Sequence, residues 1–142
     1  MSLHMFWPIA VVVAANTVYN IVAKLTPGSV NAFASLAVTY AIAALSSVGL
    51  FFLTASNKHF VDEVAKTNWT AVAFGLAIVG LEFGYLWLYR AGWKLSTASL
   101  VANISLAVVL LVIGTLAWRE TFTAVQGLGV VLCCIGLYCI AR

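Results

Sequence analysis

A single acidic residue set inside an apolar run, Glu82 between Trp69 and Arg90, constrains this chain more than any other feature. A bilayer core of about 30 Å takes roughly 20 apolar residues at about 1.5 Å each, a requirement that residues 69 to 90 meet. Counted from Trp69, Glu82 lies about 20 Å along such a helix, well inside the hydrocarbon. A charge at that depth costs at least about 2.5 kcal/mol, so the carboxylate must face protein or a water-filled cavity. It is therefore the first candidate for a functional group.

At about 100° per residue, Ala73, Ala77, Gly80 and Gly84 fall in a narrow stripe opposite Glu82, whereas Gly75, Tyr85 and Tyr89 share its side. The small residues, with Gly80 and Gly84 at small-xxx-small spacing, suit close approach by another helix in lipid. Glu82 then points into a space edged by two phenols.

The remaining chain has the same character. It is 64% hydrophobic and 8% charged, which excludes an ordinary soluble domain. Apolar spans run from about 6 to 25, 32 to 54, 69 to 90, 97 to 117 and 122 to 140. The fold class expected is all-α: one domain, residues 1–142, forming an integral bundle of five transmembrane helices. The first span starts almost at Met1, without a basic region ahead of it, and carries Asn16, Tyr19 and Asn20, so it does not read as a cleavable signal.

Lys and Arg stand singly at span ends, a pattern that does not suggest nucleic acid. With a cytoplasmic N-terminus, Lys58, Lys66 and Arg119 fall inside and Lys24, Arg90, Lys94 and Arg142 fall outside or at the outer interface. The charge bias that fixes orientation is almost absent, which admits dual insertion unless Lys24 and Arg90 snorkel from within their spans.

The other polar residues sort into structural and candidate binding positions. Asn16 and Asn20 are about one turn apart with Tyr19 beside them, an arrangement suited to interhelical bonding or to substrate contact. Ser99 and Asn103 share a face with Ser96, giving the fourth span a polar entrance, and Ser96, Thr97 and Ser99 are each able to cap it. The second span, with Thr39, Tyr40, Ser46 and Ser47 as polar points, carries no assigned chemistry. Between the second and third spans, Phe60, Val61 and Val64 share a face opposite Asp62 and Lys66, predicting a short interfacial helix. Asn68-Trp69-Thr70 matches a glycosylation acceptor but abuts the membrane. Cys133, Cys134 and Cys139 form no CxxC pair and no zinc spacing, and read as small apolar packing residues. No nucleophile with a nearby base, metal set or Gly-rich phosphate loop is legible, so neither an enzyme nor a cofactor is expected.

Glu120 closing the fourth span, followed by Thr121 to Gln126, Gly129 and Gly136, resembles the ending of the five-span EamA-type domain of the drug/metabolite transporter superfamily. Lys24 is similar to a lysine common in that family. The chain lacks the proline of the fourth span and the arginine at the start of the second that the usual pattern has. It is also similar in kind to the shorter four-span multidrug-resistance proteins, whose carboxylate lies in the first span and not the third.

The resemblance implies half of an inverted-repeat transporter fold, since full-length relatives carry two such halves in opposite orientations. A lone half needs a partner, and the weak charge bias permits an antiparallel homodimer. The function expected is a proton-coupled secondary transporter for a small-molecule substrate, in contact with membrane lipid and multi-pass in the plasma (inner) membrane. Glu82 binds a proton or a cationic substrate in this reading, Tyr85 and Tyr89 give aromatic and hydroxyl contacts, and Asn16, Asn20, Ser99 and Asn103 contribute polar lining. The alternatives are a translocase for a lipid-linked metabolite and a non-transporting membrane subunit. Glu120, beside the positive N-terminal end of the fifth span, has a structural role in this scheme.

Overall fold

The structure, a computed structural model, describes residues 6–56, 58–119, 121 and 123–141. Its helices are α1 (Trp7–Leu25), α2 (Ala32–Thr54), α3 (Phe60–Ala65), α4 (Trp69–Arg90), α5 (Leu95–Ala117) and α6 (Ala124–Ala141). No strand occurs among the described residues. Four of the helices, α1, α2, α4 and α5, are long and apolar enough to cross a membrane, and the apolar run Ala124–Gly136 within α6 is shorter.

Short polar residues set the helix starts. Pro8 occupies the first turn of α1, where its missing N–H leaves nothing unsatisfied. Asn31 caps α2, its Oδ1 accepting from the N–H groups of Phe33 at 2.9 Å and Ala34 at 3.2 Å. Asn68 does the same for α4 by accepting from Thr70 N–H at 3.0 Å, so the residue that matches a glycosylation acceptor is engaged as a helix cap. Thr123 and Gln126 form a reciprocal capping box at α6, with Gln126 Oε1 accepting from Thr123 N–H at 2.8 Å. Glu120 and Arg142 lie outside the described residues.

The start of α5 differs from expectation. No side chain caps it, and Ala98 N–H donates to the Lys94 carbonyl at 2.9 Å. Gly92, at φ +90°, turns the chain sharply after α4 in a conformation open to glycine, and α5 begins at Leu95. Ser96, Thr97 and Ser99 are thereby taken inside the helix.

The described residues fall into two compact units, divided after Arg90. In the first, α4 is the shared support on which both α1 and α2 pack. Phe33 of α2 stacks on Phe83 of α4 with centroids 4.8 Å apart. Arg90 closes the α4 end: its guanidinium lies 5.9 Å from the Trp87 ring and donates to the Val30 carbonyl at 2.7 Å, holding the α1–α2 loop. The short helix predicted between the second and third spans is present as α3, with Phe60 set against Phe51 at 5.3 Å and Val61 77% exposed. Its Glu63 pairs with Lys66 at 2.6 Å.

In the second unit, α5 packs on α6. The three cysteines of α6 are free and exposed, so they do not serve as packing residues within this unit. The glycine stripes are open too. A methyl group added at Gly80, Gly84, Gly129 or Gly136 would meet no atom within 4 Å. The buried set among the described residues is small, centred on Asn20, Ala23, Leu36, Leu86, Tyr89 and Ala98. Large aliphatic and aromatic side chains instead cover the outside, as suits a chain whose solvent is lipid.

Candidate functional site

The α1–α4 contact is built from the polar residues that the two spans carry on facing sides. Tyr89 is buried and donates its hydroxyl to Asn20 Oδ1 at 2.6 Å. Asn20 Nδ2 in turn donates to the Asn16 carbonyl and to Asn16 Oδ1, each at 2.8 Å. The Lys24 ammonium lies 5.7 Å from the centre of the Tyr89 ring. Asn16, Asn20 and Tyr89 thus form a closed polar latch between the two helices.

One to two turns along α4 the arrangement changes. Tyr85 stacks on Tyr89 at 6.1 Å and meets Tyr19 of α1 edge-on at 5.5 Å. Beyond this aromatic step, Glu82 opens onto a cavity of about 720 Å³ whose walls come from α1, α2 and α4. The α1 wall is mostly aliphatic, with Val11, Ala14, Ala15, Val18 and Val22 beside Tyr19. Ser35, Leu36 and Thr39 supply the α2 wall, and Leu86 joins Glu82 from α4.

Two tyrosines from different helices bracket the carboxylate. Both Tyr19 and Tyr40 stand close enough to Glu82 to interact with it electrostatically, and Tyr40 is within hydrogen-bonding reach of it. Their hydroxyl oxygens are nevertheless buried without a hydrogen-bond partner of good geometry. Buried polar groups in that condition are uncommon in native folds. Among the described residues no three His, Cys, Asp or Glu side chains come together to hold a metal.

One family model matches residues 5–142, that of the EamA-like transporter family. The chain belongs to this family. It matches no curated protein and no solved structure. Membership, together with four helices of membrane-crossing length, makes it a multi-pass membrane protein of a family that transports small molecules.

Within this EamA-like chain the candidate residues separate by environment. Glu82 lines the cavity, and Tyr85 reaches its edge through Tyr19. Asn16, Asn20 and Tyr89 are spent on the latch. Ser99 and Asn103 belong to the second unit, where Asn103 Nδ2 donates to the Ser99 carbonyl at 2.7 Å and to its Oγ at 3.2 Å. From the sequence, Tyr19 was noted only as a neighbour of Asn16 and Asn20, and Tyr40 only as a polar point of its span; neither was named a site residue. The signal available for them was a phenol in mid-span, a weak one, because it does not say which helix the phenol faces.

Proposed function

We propose that the chain is a proton-coupled secondary transporter for small molecules that works as an antiparallel homodimer in the plasma membrane. The observation that carries this reading is Glu82 exposed to an apolar cavity deep within a membrane-crossing helix. Removing a charge from water is costly there, so the carboxylate exchanges its proton for a substrate cation, the two competing for one site. Exchange of this kind couples the two movements without a further group.

The dimer rests on three supports. The α6 helix, with 18 residues, reaches about 27 Å and serves as a fifth span with slight bilayer thinning, which places the two ends of the domain on opposite sides. Gly80 and Gly84 present an open small-residue stripe on α4, on the side away from Glu82. The near balance of Lys and Arg across the loops permits both orientations. A second copy then supplies the inverted half, and the two Glu82 carboxylates work as a pair.

The aliphatic wall of the cavity also favours a second reading, a translocase whose lipid-linked cargo slides along α1. Reconstitution separates these from a non-transporting subunit. In proteoliposomes holding this chain alone under a pH gradient, substrate-panel flux with proton movement is expected from the wild type and not from Glu82→Gln. Equal coupled flux from both proteins overturns the role of Glu82, and no flux of any kind favours the subunit. Cross-linking in membranes that captures only monomer overturns the dimer.

A further inference from the structure

We propose that the end of the bundle where α1 and α4 finish and α2 begins holds an anionic phospholipid, its phosphate on the Arg90 guanidinium and an acyl chain along Phe33, Phe83 and Trp87. Together with the turn at residues 28 to 32 these side chains line a groove of about 430 Å³, which shares no residue with the Glu82 cavity. The aromatic side chains form one continuous wall. Phe33 stacks on Phe83 at 4.8 Å, and Phe83 meets Trp87 edge-on at 6.2 Å. Phe33 is 58% and Trp87 55% exposed, so the wall is open to lipid and not filled by the protein. Trp87 lies about one turn inside the end of α4, the level at which an indole marks the boundary between hydrocarbon and headgroups. Arg90 stands beside it, its guanidinium 5.9 Å from the indole ring.

The guanidinium is only partly used. Nη2 donates to the Val30 carbonyl at 2.7 Å and approaches the Pro27 carbonyl at 3.5 Å. Nη1 has no partner among the described residues and, unlike Nε, is not occluded, so its N–H groups are accessible to a phosphate oxygen. The first amides of α2 are already taken by Asn31, which leaves the arginine and not the helix start as the donor. Charge then selects the sign of the headgroup. No Asp or Glu precedes Asp62 in the sequence, so α1, α2 and the turn between them bring Lys24 to this end and no acid. The one acid of α4, Glu82, lies about 12 Å along the helix from Arg90 and opens on the other cavity. Arg90 itself forms no ion pair among the described residues. A net-negative headgroup answers this charge, whereas the choline of a zwitterionic lipid brings a further cation to it.

The test uses the full chain in detergent, with lipid adducts counted by native mass spectrometry. At equal mole fraction, dioleoylphosphatidylglycerol is expected to bind about fivefold more tightly than dioleoylphosphatidylcholine, the gain from one basic side chain near a membrane surface. Arg90→Gln is expected to remove that preference. Lys66→Gln, the same charge change at the exposed ion pair before the start of α4, is expected to keep it. Equal binding of the two lipids by the wild type, a preference that survives Arg90→Gln, or an equal loss in both variants overturns the proposal. Displacement of phosphatidylglycerol by inorganic phosphate also overturns it, since the site is then one for a free anion. A local measurement decides the matter where Arg90→Gln does not fold. The emission of Trp87, taken as wild type minus Trp87→Phe, should be quenched more by phosphatidylglycerol brominated on its acyl chains than by the brominated choline lipid. Equal quenching, or none, puts the lipid elsewhere and overturns the assignment.

Discussion

The two ends of the α1–α4 contact treat their polar side chains in opposite ways. Toward Lys24, the Asn16, Asn20 and Tyr89 side chains satisfy one another in a closed chain of bonds. Farther along α4, the Tyr19 hydroxyl is buried without a partner beside Glu82 and an open cavity, and Tyr40 has only Glu82 within reach. Both ends use phenols on apolar helices, so residue type alone does not distinguish them. The difference is whether the bonds close into a chain across the two helices, as they do at the latch and do not at Tyr19.

The largest effect that would sharpen this contrast comes from substituting each end once. Glu82→Gln should reduce proton movement in liposomes to the level of empty vesicles while leaving the unfolding midpoint in detergent nearly unchanged. An unfolding midpoint that collapses with the coupling would make Glu82 a structural residue. Asn20→Leu should do the reverse, lowering stability by about 1 to 2 kcal/mol through loss of the Tyr89 bond and the bond to Asn16. Proton coupling per folded molecule should persist in that variant, and its loss would extend the functional site into the latch.

Smaller effects distinguish the phenols themselves. Tyr89→Phe removes one bond from the latch and should cost about 0.6 to 1.5 kcal/mol in denaturant titration, within the range for interhelical bonds in membranes. Tyr19→Phe deletes a hydroxyl that has no partner, so it should be neutral within about 0.5 kcal/mol or slightly stabilising. Matching losses from the two Tyr→Phe changes would erase the distinction between a closed and an open end.

Much of the helical layout was legible because it depends on chain-local properties. Apolar length placed spans at 32 to 54 and 69 to 90, and α2 and α4 have those bounds. The periodicity of Phe60, Val61 and Val64 likewise marked α3. The start of α5 was misplaced because hydroxyl residues suggested a cap, whereas the glycine turn at Gly92 begins the helix earlier and leaves capping to the backbone. In α6 the small cysteines suggested packing, but smallness does not reveal which side of a helix meets a neighbour.

By itself the sequence determined that this is a membrane chain and where its long helices run, and it put Tyr85 and Tyr89 on the Glu82 side of one of them. Those properties follow from hydrophobic length and from the 3.6-residue period of one helix, and need no knowledge of the others. Tertiary structure decided that Tyr89 closes a latch with Asn20 and that Tyr19 and Tyr40, from two other helices, converge on Glu82. In lipid the outside of a bundle is as apolar as its inside, so a hydrophobic face does not fix how a helix is rotated about its axis. Packing of α1 and α2 against α4 fixes that rotation, and with it which polar groups share a cavity.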